Sequence, residues 1–241
     1  MIDLHYVATP NGQKISIMLE ETGLPYRVIT YDIFKGDQHT AAFGRINPNH
    51  KLPAIVDHDP AFGGGPHSVF ESGAVLQYLA EKTGRFLSAD PRKRSVQIQW
   101  LTWQVAGLGP MGGQAAHFVR YAPQKIDYAI ERYTKDMDRL LTVLERRLGE
   151  SEYVGGDEYP IADMAIWPSR RVAFTTMNID MSGWPNTHRW FHLVAARPAV
   201  VRGWSAEQFA SPQKYLNRQQ HLSAEEWSNM FGEKMHQAVR L

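Results

Sequence analysis

The sequence predicts two unlike domains, a small α/β layer followed by an all-helical bundle. Up to Gly84, short β-branched runs alternate with helical stretches, whereas beyond Pro91 helical periodicity takes over and no run reads as a strand. Between them lies "TGRFLSADP", Thr83–Pro91, rich in turn formers, which marks the boundary. The division expected is 1–84, 91–210, and a C-terminal extension over 211–241 that carries a helix of its own.

Each element has its own signal. Ile2–Val7 is an apolar run and reads as the first strand. Asn11–Thr22 reads as a helix with Ile15, Met18 and Leu19 on one face; Pro10 before it suits a first helical turn, where its missing N–H costs nothing. Arg27–Tyr31 is β-branched and alternating, a second strand. After a loop rich in Asn and Pro, "LPAIVDHDP" gives a third strand at Ala54–Val56. "GGGPHSVFESGAVLQYLAEKTG" then reads as a loop, a short strand at Ser68–Phe70 and a helix over Ser72–Lys82.

The second part opens with the helical run "RKRSVQIQWLTWQVAGLG". "IDYAIERYTKDMDRLLTVLERRL" follows, with Ile130, Tyr133, Met137, Leu140, Leu141 and Leu144 at helical spacing. Shorter helices are expected at Ala162–Met177 and Thr187–Ala196. In the tail, "SAEEWSNMFGEKMHQAV" has a capping-box pattern at Ser223 and Glu226, then Trp227, Met230, Phe231 and Met235 on one helical face. Such a stripe needs cover, so this segment is expected to dock on the chain's own body or on a partner.

Composition narrows the chemistry. Of 241 residues, 43% are apolar, enough for a sizeable core, and 21% are charged. A formal net charge of +1 gives no electrostatic reason to expect nucleic acid or an anionic membrane as partner. No apolar run approaches the ~20 residues that span a bilayer, and the N-terminus shows no basic-then-apolar leader, so a cytoplasmic location is expected. With no cysteine, disulfides, thiolate metal sites and a protein thiol nucleophile are all excluded.

Two motifs lead elsewhere and are set aside. "GLGPMGG", Gly107–Gly113, satisfies G-x-G-x-x-G, but it follows a Trp-rich helical run rather than a strand, so a helix break or kink near Gly107–Pro110 explains it better than a dinucleotide site. Trp100, Trp103 and Phe118 beside it read as core rather than substrate pocket. "HRWFH" puts His188 and His192 one turn apart, but Arg189 stands where a zincin needs glutamate and no third ligand is obvious, so no metal is expected.

Six motifs in order, "TPNG", "GDQ", "INPNHKLPAIVD", "FESGAVLQYLAEKTG", "QWLTWQVAGLGPMGGQ" and "YAIERY", resemble the glutathione transferase family. Within it they are most similar to the nu class of bacterial glutathione-dependent disulfide reductases, and to the yeast prion-forming nitrogen regulator. The match covers about residues 1 to 200. It implies a thioredoxin-like N-terminal domain, a helical-bundle C-terminal domain, glutathione as cosubstrate, a homodimer, and reduction of small or protein disulfides. Conjugation or peroxide reduction by the same sulfur is the alternative activity. A non-enzymatic glutathione-binding regulator is the rival class; the Asn/Gln-rich tract of the yeast relative has no counterpart here.

The resemblance also assigns residues. Thr9 and Asn11 would face the glutathione sulfur at the junction of strand and helix, where ordinary thioredoxins carry their redox cysteines. Bound glutathione would replace those cysteines, and Tyr6 is the rival donor. Leu52 and Pro53 would be joined by a cis peptide, with the Leu52 backbone free to pair with the cysteinyl unit like an added strand; a strand-start proline is the plain alternative. Ser72, a helix cap by position, would join the helix N-terminus in holding the γ-glutamyl α-carboxylate, and Glu71 would face the α-amino group. Gln38 would reach the glycyl end and Lys51 would lie near the ligand, unless both are simply solvated loop residues. Arg132 would reach the ligand across a domain or dimer interface, or else pair with Glu131 or Asp136. One departure concerns the fold: a Ser/Thr-x-x-Asp capping box is usual in the family's sixth helix, and here Pro160 occupies the cap, weakening a device worth ~1 kcal/mol while Asp163 remains.

Overall fold

In the computed structural model, which describes residues 1–176, 180–205, 207–209 and 222–240, the two-part division is present. The N-terminal part runs β1 (Ile2–Tyr6), α1 (Pro10–Thr22), β2 (Tyr26–Thr30), a 3₁₀ turn (Asp37–His39), α2 (Ala41–Gly44), β3 (Ala54–Asp57), β4 (His67–Phe70) and α3 (Ser72–Thr83). The sheet order is β2-β1-β3-β4, with β1 parallel to β2 and the other neighbours antiparallel. Leu4 pairs with Val28 on one side and Ile55 on the other, so the β-branched runs sit in register at the centre of the sheet.

Every residue of β1 is buried: α1 and α3 pack on the sheet, and His5, on the face opposite Leu4 and Tyr6, packs against Tyr31 and Phe43. Two glycines allow close approach to α1. A Cβ on Gly12 would stand 2.2 Å from the Val7 carbonyl, and one on Gly203 would stand 2.7 Å from Ile17 Cα, so neither position admits a side chain.

The helical part comprises α4 (Pro91–Trp103), α5 (Gly109–Ala116), α6 (Asp127–Glu150), α7 (Ile161–Thr176), α8 (Pro185–Ala195) and α9 (Pro198–Ser205). Strand pairing there, among the described residues, is limited to an isolated bridge between Tyr153 and Gly156. The expected end of the seventh helix at Met177 lies outside the described residues, as do 210–221 of the extension. On α6 the buried residues Met137, Leu140, Leu141, Leu144 and Leu148 follow the helical period.

The helix does not end at the break or kink expected near Gly107–Pro110. Instead the chain makes one π-helical turn at Gln104–Leu108 and another at His117–Tyr121, with α5 between them. A π turn accommodates a proline by widening the helix instead of ending it. Trp100, Trp103 and Phe118, expected in the core, are half-buried. The two tryptophans pack edge to face at 5.2 Å, and Phe118 stacks on Tyr133 at 5.5 Å.

The described part of the tail forms two short helices, α10 (Ala224–Met230) and α11 (Glu233–Ala238), rather than one apolar stripe. The Ser223–Glu226 capping box is complete. Trp227 and Phe231 pack on His117, Phe231 also on Tyr121, and the Asn229 side chain donates to the Phe34 carbonyl at 2.7 Å. The tail thus touches both domains.

Asp163 compensates for the missing capping box in another way. Its carboxylate accepts from the Val154 and Gly155 amides and from Trp190 Nε1 at 2.9, 3.3 and 2.6 Å, tying the 153–156 loop to α8. Burial pushes its carboxyl up to about 7 against those three donors. Asp163→Ala would orphan them in the core, and denaturant unfolding should show a loss of about 1–3 kcal/mol or more; an unchanged midpoint would mean that the loop holds without it.

Candidate functional site

The end of β1 and the start of α1 form the centre of the site. Thr9 is the N-cap of α1 with φ −111° and ψ 165°, yet its hydroxyl makes no capping hydrogen bond. Its carbonyl accepts from the Gln13 amide, which starts the helix. Asn11 is exposed, and neither its side chain nor its main-chain N–H is bonded among the described residues. A hydroxyl, a carboxamide and a free helix-terminal N–H therefore converge where a helix carries its positive end.

Tyr6 does not share this space. It is fully buried, its hydroxyl donates to the Phe209 carbonyl at 3.2 Å, and its ring packs against Phe209 at 5.3 Å. Burial pushes its phenol far above the usual value.

Four expected residues follow beyond α1, Leu52, Pro53, Glu71 and Ser72. The Leu52–Pro53 peptide is cis, and the Leu52 main chain makes no hydrogen bond among the described residues. Glu71 holds φ 66°, a conformation rare outside glycine, and caps α3. Ser72 is thus the first helical residue rather than the cap, as its place in the sequence suggested.

Behind Ser72 lies a residue that sequence reasoning missed. Lys14 is fully buried on α1, and its Nζ donates to Ser72 Oγ at 3.2 Å and to Gln104 Oε1 at 2.8 Å. Because Ser72 Oγ accepts from the ammonium, its own hydrogen is left to donate outward. The only sequence signal was a lysine among apolar residues, which a surface helix would equally carry.

Gln38 is not a solvated loop residue, whereas Lys51 stays exposed. Gln38 is buried in the 3₁₀ turn, its Nε2 3.5 Å from the Asn229 carbonyl, and its Oε1 has no partner. Lys51 Nζ meets Met235 Sδ at 3.1 Å. The tail thus covers Gln38 and touches Lys51. Arg132 is exposed on α6, and Lys135 and Arg139 pair with Glu131 and Asp136, the partners considered for it. It is not among the residues that line the cavity beside Asn11. His188 and His192 lie with Nε2 atoms 3.2 Å apart on an exposed face of α8, and no cluster of three metal-ligating side chains occurs among the described residues.

A cavity of about 530 Å³ opens beside Asn11, between the two domains. Its walls come from α5, α6 and α7 as well as α1, and include Gly112, Met137, Arg120 and Arg170. The arginines were not singled out in the sequence. The available signal for Arg170 was its register, one turn beyond Ile166 and Trp167 on a buried face.

Lys14 gives the site a pH signature. Burial drives its ammonium from 10.5 down to about 7, with Glu71 pulling it partly back. Below the folded value both states carry the proton, and the buried charge weighs against folding. Above it the folded chain sheds the proton while the unfolded chain keeps it, so stability rises with pH. Unfolding free energy should therefore climb from about pH 7 to 9 in the wild type and flatten in Lys14→Met; identical slopes would show that Lys14 is not the titrating group.

Comparisons with known proteins agree with this geometry. Residues 8–82 match the glutathione S-transferase N-terminal domain and residues 112–198 the glutathione S-transferase C-terminal domain. The disulfide-bond oxidoreductase YfcG of Escherichia coli is 54% identical over 200 residues, spanning 83% of this chain and 93% of that one. A glutathione transferase of Burkholderia graminis, solved with two glutathione molecules per subunit, is 42% identical over 86% of this chain and 88% of its own, with a TM-score of 0.81. One from Pseudomonas putida, solved with one glutathione disulfide per subunit, is 40% identical over 86% and 91%, with a TM-score of 0.80. With both domains matched in order and the thioredoxin-like sheet joined to its helical partner, this chain belongs to the glutathione S-transferase family.

Proposed function

We propose that this chain is a glutathione-dependent disulfide-bond oxidoreductase of nu-class type, working in the cytoplasm as a homodimer. The observation that carries the reading is an α1 N-terminus whose hydrogen-bonding groups are unspent, in a chain without cysteine. A free thiol has pKa ~8.5, so only a few per cent is thiolate at neutral pH. Thr9, Asn11 and the helix-terminal N–H stabilise the charged sulfur of bound glutathione. That thiolate attacks a disulfide; the new sulfur–sulfur bond makes a mixed disulfide, and the departing sulfur leaves with the electron pair as a thiolate. A second glutathione thiolate then attacks the mixed disulfide, giving glutathione disulfide and the second reduced thiol. The similarity to a disulfide-bond oxidoreductase and to transferases with glutathione or its disulfide bound supports this choice over conjugation.

The remaining roles follow. The free Leu52 main chain pairs with the cysteinyl unit, with Pro53 setting its approach. Ser72 and the α3 N-terminus receive the α-carboxylate, and Glu71 the α-amino group. Gln38 and Lys51 border the glycyl end under the tail. A second subunit supplies Arg132, which its own chain leaves exposed. Phe62, Phe70 and Val105 are exposed apolar residues at 68, 37 and 37%, surface that a partner would cover.

Removing a donor to a charged sulfur costs roughly 1.5–3 kcal/mol, or about 10–100-fold in rate. Thr9→Ala and Asn11→Ala should therefore lower the reduction of 2-hydroxyethyl disulfide by about that factor, with glutathione affinity changed less, while Tyr6→Phe stays near the wild-type rate. A crippled Tyr6→Phe beside active Thr9 and Asn11 variants would transfer the role to the tyrosine. Sedimentation should give about twice the 27.4 kDa chain mass; a monomer that binds glutathione normally would remove the second chain from the site.

A further inference from the structure

We propose that the cavity beside Asn11 selects a disulfide whose leaving half carries a carboxylate, and that Arg170 is the residue that holds it. The proposal rests on the function above and names the substrate class for the same site. Arg170 sits on α7, 2% exposed, and lines this cavity with Asn11. Its Nε and Nη1 have no hydrogen-bond partner, and no ion pair joins it to an acidic side chain among the described residues. A guanidinium presents five donors and stays charged. Desolvation lowers its pKa only to about 10, so the charge persists at neutral pH. Leaving one partner of a buried ion pair alone is strongly destabilising, so an uncompensated arginine marks a place for an anion.

The surroundings fix which anion fits. Arg120, itself buried, lines the same cavity, and among the described residues Asp138 is its one acidic lining residue, which does not pair with Arg170. Most of the remaining wall is apolar, including Leu108, Ala115 and Met137, with the hydroxyl-bearing Tyr121, Thr134 and Ser169 among them. Short hydrocarbon arms match that lining, and a planar carboxylate matches the guanidinium. End-on across Nη1 and Nη2, or side-on across Nε and Nη2, it would satisfy one of the orphaned donors. Nη2 comes within 3.7 Å of where a Gly112 Cβ would stand, so the guanidinium lies directly against α5. The exchange itself is as above: the glutathione sulfur bonds to the nearer disulfide sulfur. The farther sulfur leaves with the electron pair on the carboxylate-bearing thiolate, which Arg170 retains beside the cavity wall.

Three disulfides test the assignment: 3,3′-dithiodipropionate, neutral 2-hydroxyethyl disulfide and cationic cystamine, each reduced with glutathione. The wild type should prefer them in that order by kcat/KM. Arg170→Met should raise KM for dithiodipropionate by about 10–100-fold, the loss of a charged hydrogen bond, while altering the neutral substrate by less than about threefold. Gly112→Asp places a carboxylate against the guanidinium from within and should abolish the preference for the anionic substrate even if Arg170→Met does not fold. Equal loss on all three substrates, or a wild type indifferent to charge, overturns the proposal. Calorimetry keeps it separate from the function reading. The probe is dithiodipropionate added to protein with and without S-methylglutathione, which cannot exchange. Binding by the wild type that weakens at least tenfold in the Gly112→Asp variant upholds the anion site even if no disulfide is reduced. Absent or unaltered binding removes the site even if reduction proceeds.

Discussion

Lys14 buries its ammonium where the sheet domain meets the helical one, and two acceptors make that position tenable. Ser72 belongs to α3 of the first domain and Gln104 to the π turn of the second, so the two hydrogen bonds hold three elements at one point. A buried ammonium without acceptors would lose its proton or expel the helix. The relative placement of α1, α3 and the π turn is therefore constrained by the need to keep this group satisfied. The α3 N-terminus, the α1 N-terminus and the inter-domain cavity all take their positions from those three elements.

That constraint also explains why α1 departs from an ordinary amphipathic helix. Residues Gly12 to Leu19 are all buried, polar Gln13, Lys14 and Ser16 included. From its own domain α3 and β1 pack on it, and α7 and α9 of the helical domain cover what would otherwise be the solvent face. Ser16 donates to the Gly203 carbonyl at 2.6 Å, and α9 approaches until backbone meets backbone. A helix enclosed on all sides holds its N-terminus rigidly, which a site built on a cap and a helix-end amide requires.

Much of this was legible because it is written in local periodicity. The four strands, α1, α3 and α6 followed alternation or helical spacing to within a residue or two, and the resemblance supplied the cis Leu52–Pro53 bond. What escaped was set by contacts distant in sequence. Gln38 looks solvated until Asn229, 191 residues away, closes over it. The apolar stripe in the tail read as one helix, but it is interrupted at Phe231 and Gly232, so two short helices meet the body. The π turns left no pattern that separates them from a break at glycine and proline. Lys14 and Arg170 look like surface residues because charge normally implies solvent, and only their helical register against apolar neighbours argued otherwise.

The cleft collects features that a stability-driven sequence would avoid. Thr9 occupies a cap and leaves its hydroxyl unspent, forgoing about 1 kcal/mol. Glu71 holds a positive φ, a conformation that costs on the order of 1–3 kcal/mol in a non-glycine residue. Arg170 keeps buried donors without partners. Each would be unremarkable alone, since strain and orphaned groups occur in structural roles too. Their chemistry is what separates the readings: a hydroxyl at the positive end of a helix, a carboxylate beside a helix N-terminus, and a guanidinium at the end of an apolar cavity. The first suits an anionic sulfur, the second an ammonium next to a carboxylate, the third a further carboxylate. A γ-glutamyl thiol presents the first two sets of groups at once, and a carboxylate-bearing disulfide presents the third. On the proposed function the local costs are those of a pre-organised site, set by the fold and relieved when those ligands bind.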